Sequence, residues 1–177
     1  MPSAVTLLVL RHATAASGRP GGQDSERRLT AHGRSEASGV GDFLRTSGLV
    51  VDHVLCSSAV RTRETLEQLA LDQPGAAPTV ELVPRLYQAS ADELIELVDQ
   101  VAAGTVLVVG HNPTVAVAVN VLTDPAISSA AALVAVAHRF PPATLARLSL
   151  GAAGPNPASA ALVGIRIADG RDGKYVK

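Results

Sequence analysis

Hydrophobic residues in this chain come in short unbroken runs that alternate with helical stripes. Val5 to Leu10 (VTLLVL) is continuously apolar and β-branched, the pattern of a strand buried on both faces. Ala15 to Arg28 then loses all periodicity and reads as a long loop. Thr30 caps a helix reaching about Leu44, with Ala37, Val40 and Leu44 on one face. Val50 to Cys56 predicts a second strand. Ser58 opens a helix to about Leu71 whose apolar face is Leu66, Leu69 and Ala70. Gln73 to Pro78 reads as a turn and Val80 to Leu86 as a short strand. Ser90 and Glu93 form a capping box for a helix with Leu94, Leu97, Val98 and Val101 inward. Thr105 to Val109 (TVLVV) is another fully apolar strand. Asn112 caps and Pro113 starts the next helix, through Val115, Val119 and Leu122. Leu133 to Ala137, Leu145 to Leu150 and Leu162 to Ile167 read as strands, and the tail from Asp169 as polar and frayed. Strands alternating with helices up to Leu122 predict an α/β fold, with a mostly parallel central sheet and helices on both faces.

Composition narrows this picture. The 177 residues are 47% hydrophobic and show no internal repeat, so one domain is expected over 1–177, its last residues from about 169 a polar tail. Fifteen basic and 16 acidic residues leave a net charge of -1, which gives no broad handle for nucleic acid or an anionic membrane. A single cysteine, Cys56, excludes an internal disulfide. The N-terminal apolar run ends at Arg11 after too few residues for a span or a signal peptide, so a cytoplasmic protein is expected.

The chemistry-bearing residues cluster at strand-to-helix junctions. Arg11-His12 follows the first buried strand, and Gly110-His111-Asn112-Pro113 follows the fourth. Ser57-Ser58-Ala59-Val60-Arg61 follows the second and places Arg61 in a first helical turn. Ligand sites in open α/β sheets lie outside the carboxyl ends of the strands. Two imidazoles and two guanidiniums delivered to one such edge make a pocket for a dianion. Arginine pairs bidentately with phosphate oxygens. A neutral imidazole can attack phosphorus, and a second, charged one would stabilise the equatorial oxygens. His32, His53 and His138 sit at no such junction and are assigned nothing. No HExxH, HxH or CxxC occurs, so no metal is expected. Neither G-x-S-x-G nor a P-loop is present.

These residues resemble the signatures of the histidine phosphatase superfamily, the phosphoglycerate-mutase-like proteins. LVLRHAT (Leu8 to Thr14) is similar to its R-H-G/A segment. SSAVRTRET (Ser57 to Thr65) is similar to its S-S-P-x-x-R-x-x-Q-T segment, with Ala59 and Glu64 in place of Pro and Gln. VVGHNP (Val108 to Pro113) resembles its G-H-x-P segment. Two stretches resemble the short SixA-like branch. They are Asp24 to Thr30 (DSERRLT) with Gly33 following, and Phe140 to Thr144 (FPPAT). The resemblance implies a three-layer α/β/α sandwich, a nucleophile at His12, phosphate clamps at Arg11, Arg61 and His111, and no cofactor. It implies a phosphatase that passes through a covalent phosphohistidine.

One departure bears on the substrate. Many members carry a glutamate general acid after the third strand, and Leu86-Tyr87-Gln88-Ala89 offers no carboxylate there. Asp92 and Glu93 belong to the capping box. Asp24 or Glu26 could substitute if the first loop folds over the site. General acid help is worth about 10²–10⁴-fold to an alkoxide leaving group. A protonated imidazole departs without it. The expected substrate is thus a phosphohistidine on a protein. The alternatives are a small-molecule phosphomonoesterase, a phosphomutase, and a phosphate-binding regulatory module without catalysis. The oligomeric state is not encoded in any pattern we identify.

Overall fold

The computed structural model describes residues 5–72, 77–151, 154–169 and 172–177. Seven strands form one sheet: β1 (Val5–Arg11), β2 (His53–Ser57), β3 (Thr79–Val83), β4 (Thr105–Gly110), β5 (Leu145–Leu150), β6 (Ala161–Ile167) and β7 (Lys174–Val176). Their spatial order is β3-β2-β4-β1-β5-β6-β7. β3, β2, β4 and β1 run parallel, joined by crossovers through helices. β5, β6 and β7 add antiparallel neighbours beyond β1.

The apolar strand runs explain the three layers. Side chains alternate across a strand, so β1 sends Leu8 and Leu10 to one face and Leu7 and Val9 to the other. The first face packs on Ala37, Val40 and Leu44 of α1 (Ala31–Thr46) and Leu69 of α2 (Val60–Leu69). The second packs on α3 (Ala91–Asp99), α4 (Thr114–Leu122) and α5 (Ala130–His138) through Leu94, Val98, Val115, Val119, Leu122, Ala132 and Val136. Helix α1 lies close to its neighbours because Gly33 and Gly41 lack a side chain. A Cβ at Gly33 would collide with the Thr14 carbonyl, and one at Gly41 with the Leu69 carbonyl. No helix among the described residues is long and apolar enough to cross a membrane.

Several local expectations are corrected. Leu133 to Ala137 lies inside α5, not in a strand. A short apolar run fits either state, and Ser129 decides it by accepting from the Ala132 amide at 3.1 Å as an N-cap. The tail is not frayed throughout, since Lys174–Val176 pairs with β6 as an edge strand. Ser58 does not cap α2. Ala59 holds that position, and the Thr62 hydroxyl donates to the Ser57 and Ala59 carbonyls. Helix α2 stops at Leu69, before Ala70 in a left-handed conformation (φ 47°), and leaves Ala70 exposed. β3 ends at Val83 because Pro84 opens a 3₁₀ turn, Pro84–Tyr87. Asn112 does not cap α4; its amide donates to the Phe140 carbonyl at 2.9 Å, and α4 begins at Thr114. Most of the expected 73–78 turn lies outside the described residues.

Candidate active site

The carboxyl ends of β1, β2 and β4 stand side by side, and from them the structure brings His12, Arg61 and His111 together. His12 directly follows β1. Its Nδ1 lies 2.8 Å from the Ala13 carbonyl oxygen, and its Nε2 lies 3.2 Å from Arg61 Nε. The carbonyl can only accept and the guanidinium N–H can only donate. Nδ1 therefore carries the proton and Nε2 presents its lone pair to the arginine.

The rings of His12 and His111 are 5.2 Å apart, tilted by 58°. His111 Nε2 meets the Ser57 hydroxyl at 2.8 Å. His111 Nδ1 and Arg11 Nε are buried with no hydrogen-bond partner, so both retain capacity for a polar ligand. Arg11 also donates from NH1 to the Phe140 carbonyl at 2.8 Å. Burial is the largest cause holding both imidazoles neutral. It lowers His12 to about 4, with Arg61 and Arg11 adding to the effect, and His111 to about 3, with Arg61 and His12 adding. The pocket thus sets a neutral nitrogen pair among guanidiniums, and a dianion bound beside it would favour the charged form of His111.

Backbone around His12 is fixed from several directions. The His12 amide donates to the Gly110 carbonyl at 3.0 Å, and the His12 carbonyl accepts from the Ala143 amide at 3.1 Å. The Ala13 amide donates to Thr65 Oγ1 at 3.0 Å, and that hydroxyl donates to the Arg61 carbonyl at 2.6 Å. Glu36 accepts from the Thr14 amide at 2.9 Å. Glu64, where the resemblance expects glutamine, accepts from the Leu29 amide at 2.7 Å and faces Arg28 at 3.3 Å, which suits a carboxylate.

Of the two acids considered from the first loop, Asp24 reaches the site and Glu26 does not. Asp24 Oδ2 accepts from Arg61 NH2 at 2.9 Å and from the Tyr87 hydroxyl at 2.7 Å, and Oδ1 accepts from Arg27 NH1 at 2.9 Å. Arg27 and Tyr87, followed by Arg61, hold this carboxyl well below the usual carboxylate range, so it is ionised. Tyr87 also stands edge-on to His111, with centroids 5.4 Å apart, and its ring lies 5.7 Å from the Arg61 guanidinium carbon.

Sequence reasoning missed Ser57, Thr65 and Tyr87 as neighbours of the site. Ser57 and Thr65 lay within a quoted motif, and Tyr87 within the stretch read only for its lack of a carboxylate. His32 pairs with Glu36 at 3.2 Å and His53 with Glu81 at 3.7 Å. Cys56 is buried and its thiol is pushed up to about 12, so it is inert as a nucleophile. Among the described residues no group of three or more His, Cys, Asp or Glu side chains is arranged to hold a metal ion.

Comparison with known proteins shows the family. Residues 7–88 match the histidine phosphatase superfamily (branch 1). The structure is similar to a candidate SixA phosphohistidine phosphatase from Nakamurella multipartitia, at 34% identity over 94% of this chain and 98% of that one, with a TM-score of 0.78. It is similar to a second such candidate from Agrobacterium tumefaciens, at 28% identity over 82% and 92% of the two chains, TM-score 0.73. An uncharacterized protein of Mycobacterium tuberculosis is 36% identical over 89% of this chain and 99% of its own length. This chain belongs to the histidine phosphatase superfamily, in its SixA-like branch, and is a phosphatase of that class.

Proposed function

We propose that this protein is a metal-independent phosphatase that removes the phosphoryl group from phosphohistidine on a cytoplasmic protein, through a covalent intermediate on His12. The observation that carries the reading is the tautomer of His12: Nδ1–H is held by the Ala13 carbonyl, leaving the Nε2 lone pair beside Arg61 and His111. In this reading Nε2 attacks phosphorus and the bond from phosphorus to the substrate nitrogen breaks. The departing imidazole keeps the proton on its other nitrogen and leaves neutral. Phospho-His12 is then an imidazolium, its Nδ1–H still bonded to Ala13. Water attacks phosphorus, the bond to Nε2 breaks, and His12 returns to its starting tautomer while both water protons stay with the released phosphate. Arg11, Arg61 and His111 hold the equatorial oxygens throughout. Two guanidiniums supply the charge that a metal supplies in other phosphoryl-transfer sites.

The carboxylates favour a nitrogen leaving group. Asp24 is ionised and accepts three hydrogen bonds, so it has no proton to give an alkoxide. The stretch 86–89 places a phenol, Tyr87, where a glutamate would serve. Two structural neighbours named as candidate SixA phosphohistidine phosphatases support the same substrate class. A panel of phosphohistidine peptide, sugar phosphates and phosphoglycerates tests the proposal, and phosphohistidine should be turned over fastest. Rapid turnover of a sugar phosphate with phosphohistidine untouched would reject it.

A further inference from the structure

A cleft of about 220 Å³ opens alongside the site, within the first loop. Its lining includes Ser17, Arg19, Gln23, Glu26, Arg27 and Arg28, three guanidiniums against one carboxylate. Arg27 is held in place by the Ala16 carbonyl at 2.7 Å and by Asp24. Arg28 is largely exposed and faces Glu64 across 3.3 Å. Arg19 is exposed, and no ion pair to it occurs among the described residues. The single carboxylate of Asp24 separates this cleft from the phosphoryl pocket, because it bonds Arg27 on one side and Arg61 on the other.

We infer that this cleft is a second anion subsite, which takes a carboxylate side chain of the substrate protein near its phosphorylated residue. The inference rests on the phosphoprotein reading above. Arginine forks suit carboxylates. An open cleft with one glutamate in its wall suits a singly charged group better than a second dianion. Spacing fits too. In an extended peptide, side chains on one face repeat about every 7 Å, which is the scale of two guanidiniums bridged by one carboxylate. The favoured substrate carries Asp or Glu two positions from the phosphohistidine.

Two phosphohistidine peptides test this, one with Glu and one with Ala at that position, with phosphoramidate as a small probe. Wild-type protein should prefer the acidic peptide in kcat/KM by about two- to fivefold, as expected for a solvent-open charge pair. Arg19→Glu should erase that preference and leave phosphoramidate turnover unchanged. No preference in the wild type, or one that survives Arg19→Glu, would overturn the subsite. If both peptides are refused while phosphoramidate is hydrolysed, the phosphoprotein reading fails separately. The cleft is then judged by binding of the unphosphorylated acidic peptide, followed by NMR. Weaker binding to Arg19→Glu than to wild type sustains the subsite, and equal binding removes it.

Discussion

The two sides of the pocket are built differently. On the sheet side, His12, Arg61 and His111 stand on strand and helix ends whose own hydrogen bonds are buried. Arg61 is 6% exposed, and Thr65, which supports Ala13, is fully buried. On the loop side, Asp24 is about half exposed and is held by charge and by a phenol. Buried bonds in a packed interior set geometry and cost stability when broken. Exposed ion pairs are weak and exchange readily. The sheet side therefore suits the group that must be aimed, and the loop side suits a group that must yield. Asp24 holds Arg61 from the loop side, and in the proposed reaction a phosphoryl group would compete with it for that guanidinium.

The largest effect is expected from His12→Ala, which should lower kcat on the order of 10⁴-fold or more and leave circular dichroism unchanged. Activity surviving in that variant would end the nucleophile assignment. It should also abolish any acid-labile phosphoenzyme, which separates a phosphatase from a regulatory module that only binds phosphate. Next comes Thr65→Val, which leaves the buried Ala13 amide without an acceptor. We expect a loss of about 1–3 kcal/mol in denaturant unfolding and a fall in kcat of up to about 10²-fold with little change in KM. Thr65→Ser should restore both. A stability loss without the kcat loss would show that the hydroxyl holds the fold and not the aim of His12. The smallest effect belongs to the loop. Asp24→Asn should tighten inhibition by inorganic phosphate by about two- to fivefold, because the competing carboxylate is gone. Unchanged inhibition would remove the competition. Lost turnover of phosphomonoesters with phosphoramidate spared would instead make Asp24 a proton donor.

The sheet side was legible in the sequence and the loop side was not. Strand runs such as VTLLVL and TVLVV are long, apolar and unambiguous, so their ends locate His12 and His111 to the residue. Arg61 follows from the same logic one strand over. The position of Asp24 depends on how fourteen residues without periodicity fold back, and no local pattern encodes that. Tyr87 was hidden because Pro84 turns the end of β3 into a 3₁₀ segment that swings the phenol toward His111. Alanine-rich α5 reads as a strand for a related reason: Val134 to Ala137 alternates large and small residues, and its state is settled by Ser129, outside the apolar run.

β1 is the seam of the molecule, with a parallel neighbour on one edge and an antiparallel neighbour on the other. Immediately beyond it, the peptide of His12 is tied to Gly110 on the first side and to Ala143 on the second. Breathing of either half of the sheet alone leaves one of these two anchors in place. The His12 imidazole, the proposed nucleophile, thus rides on the segment where the two halves of the fold restrain each other.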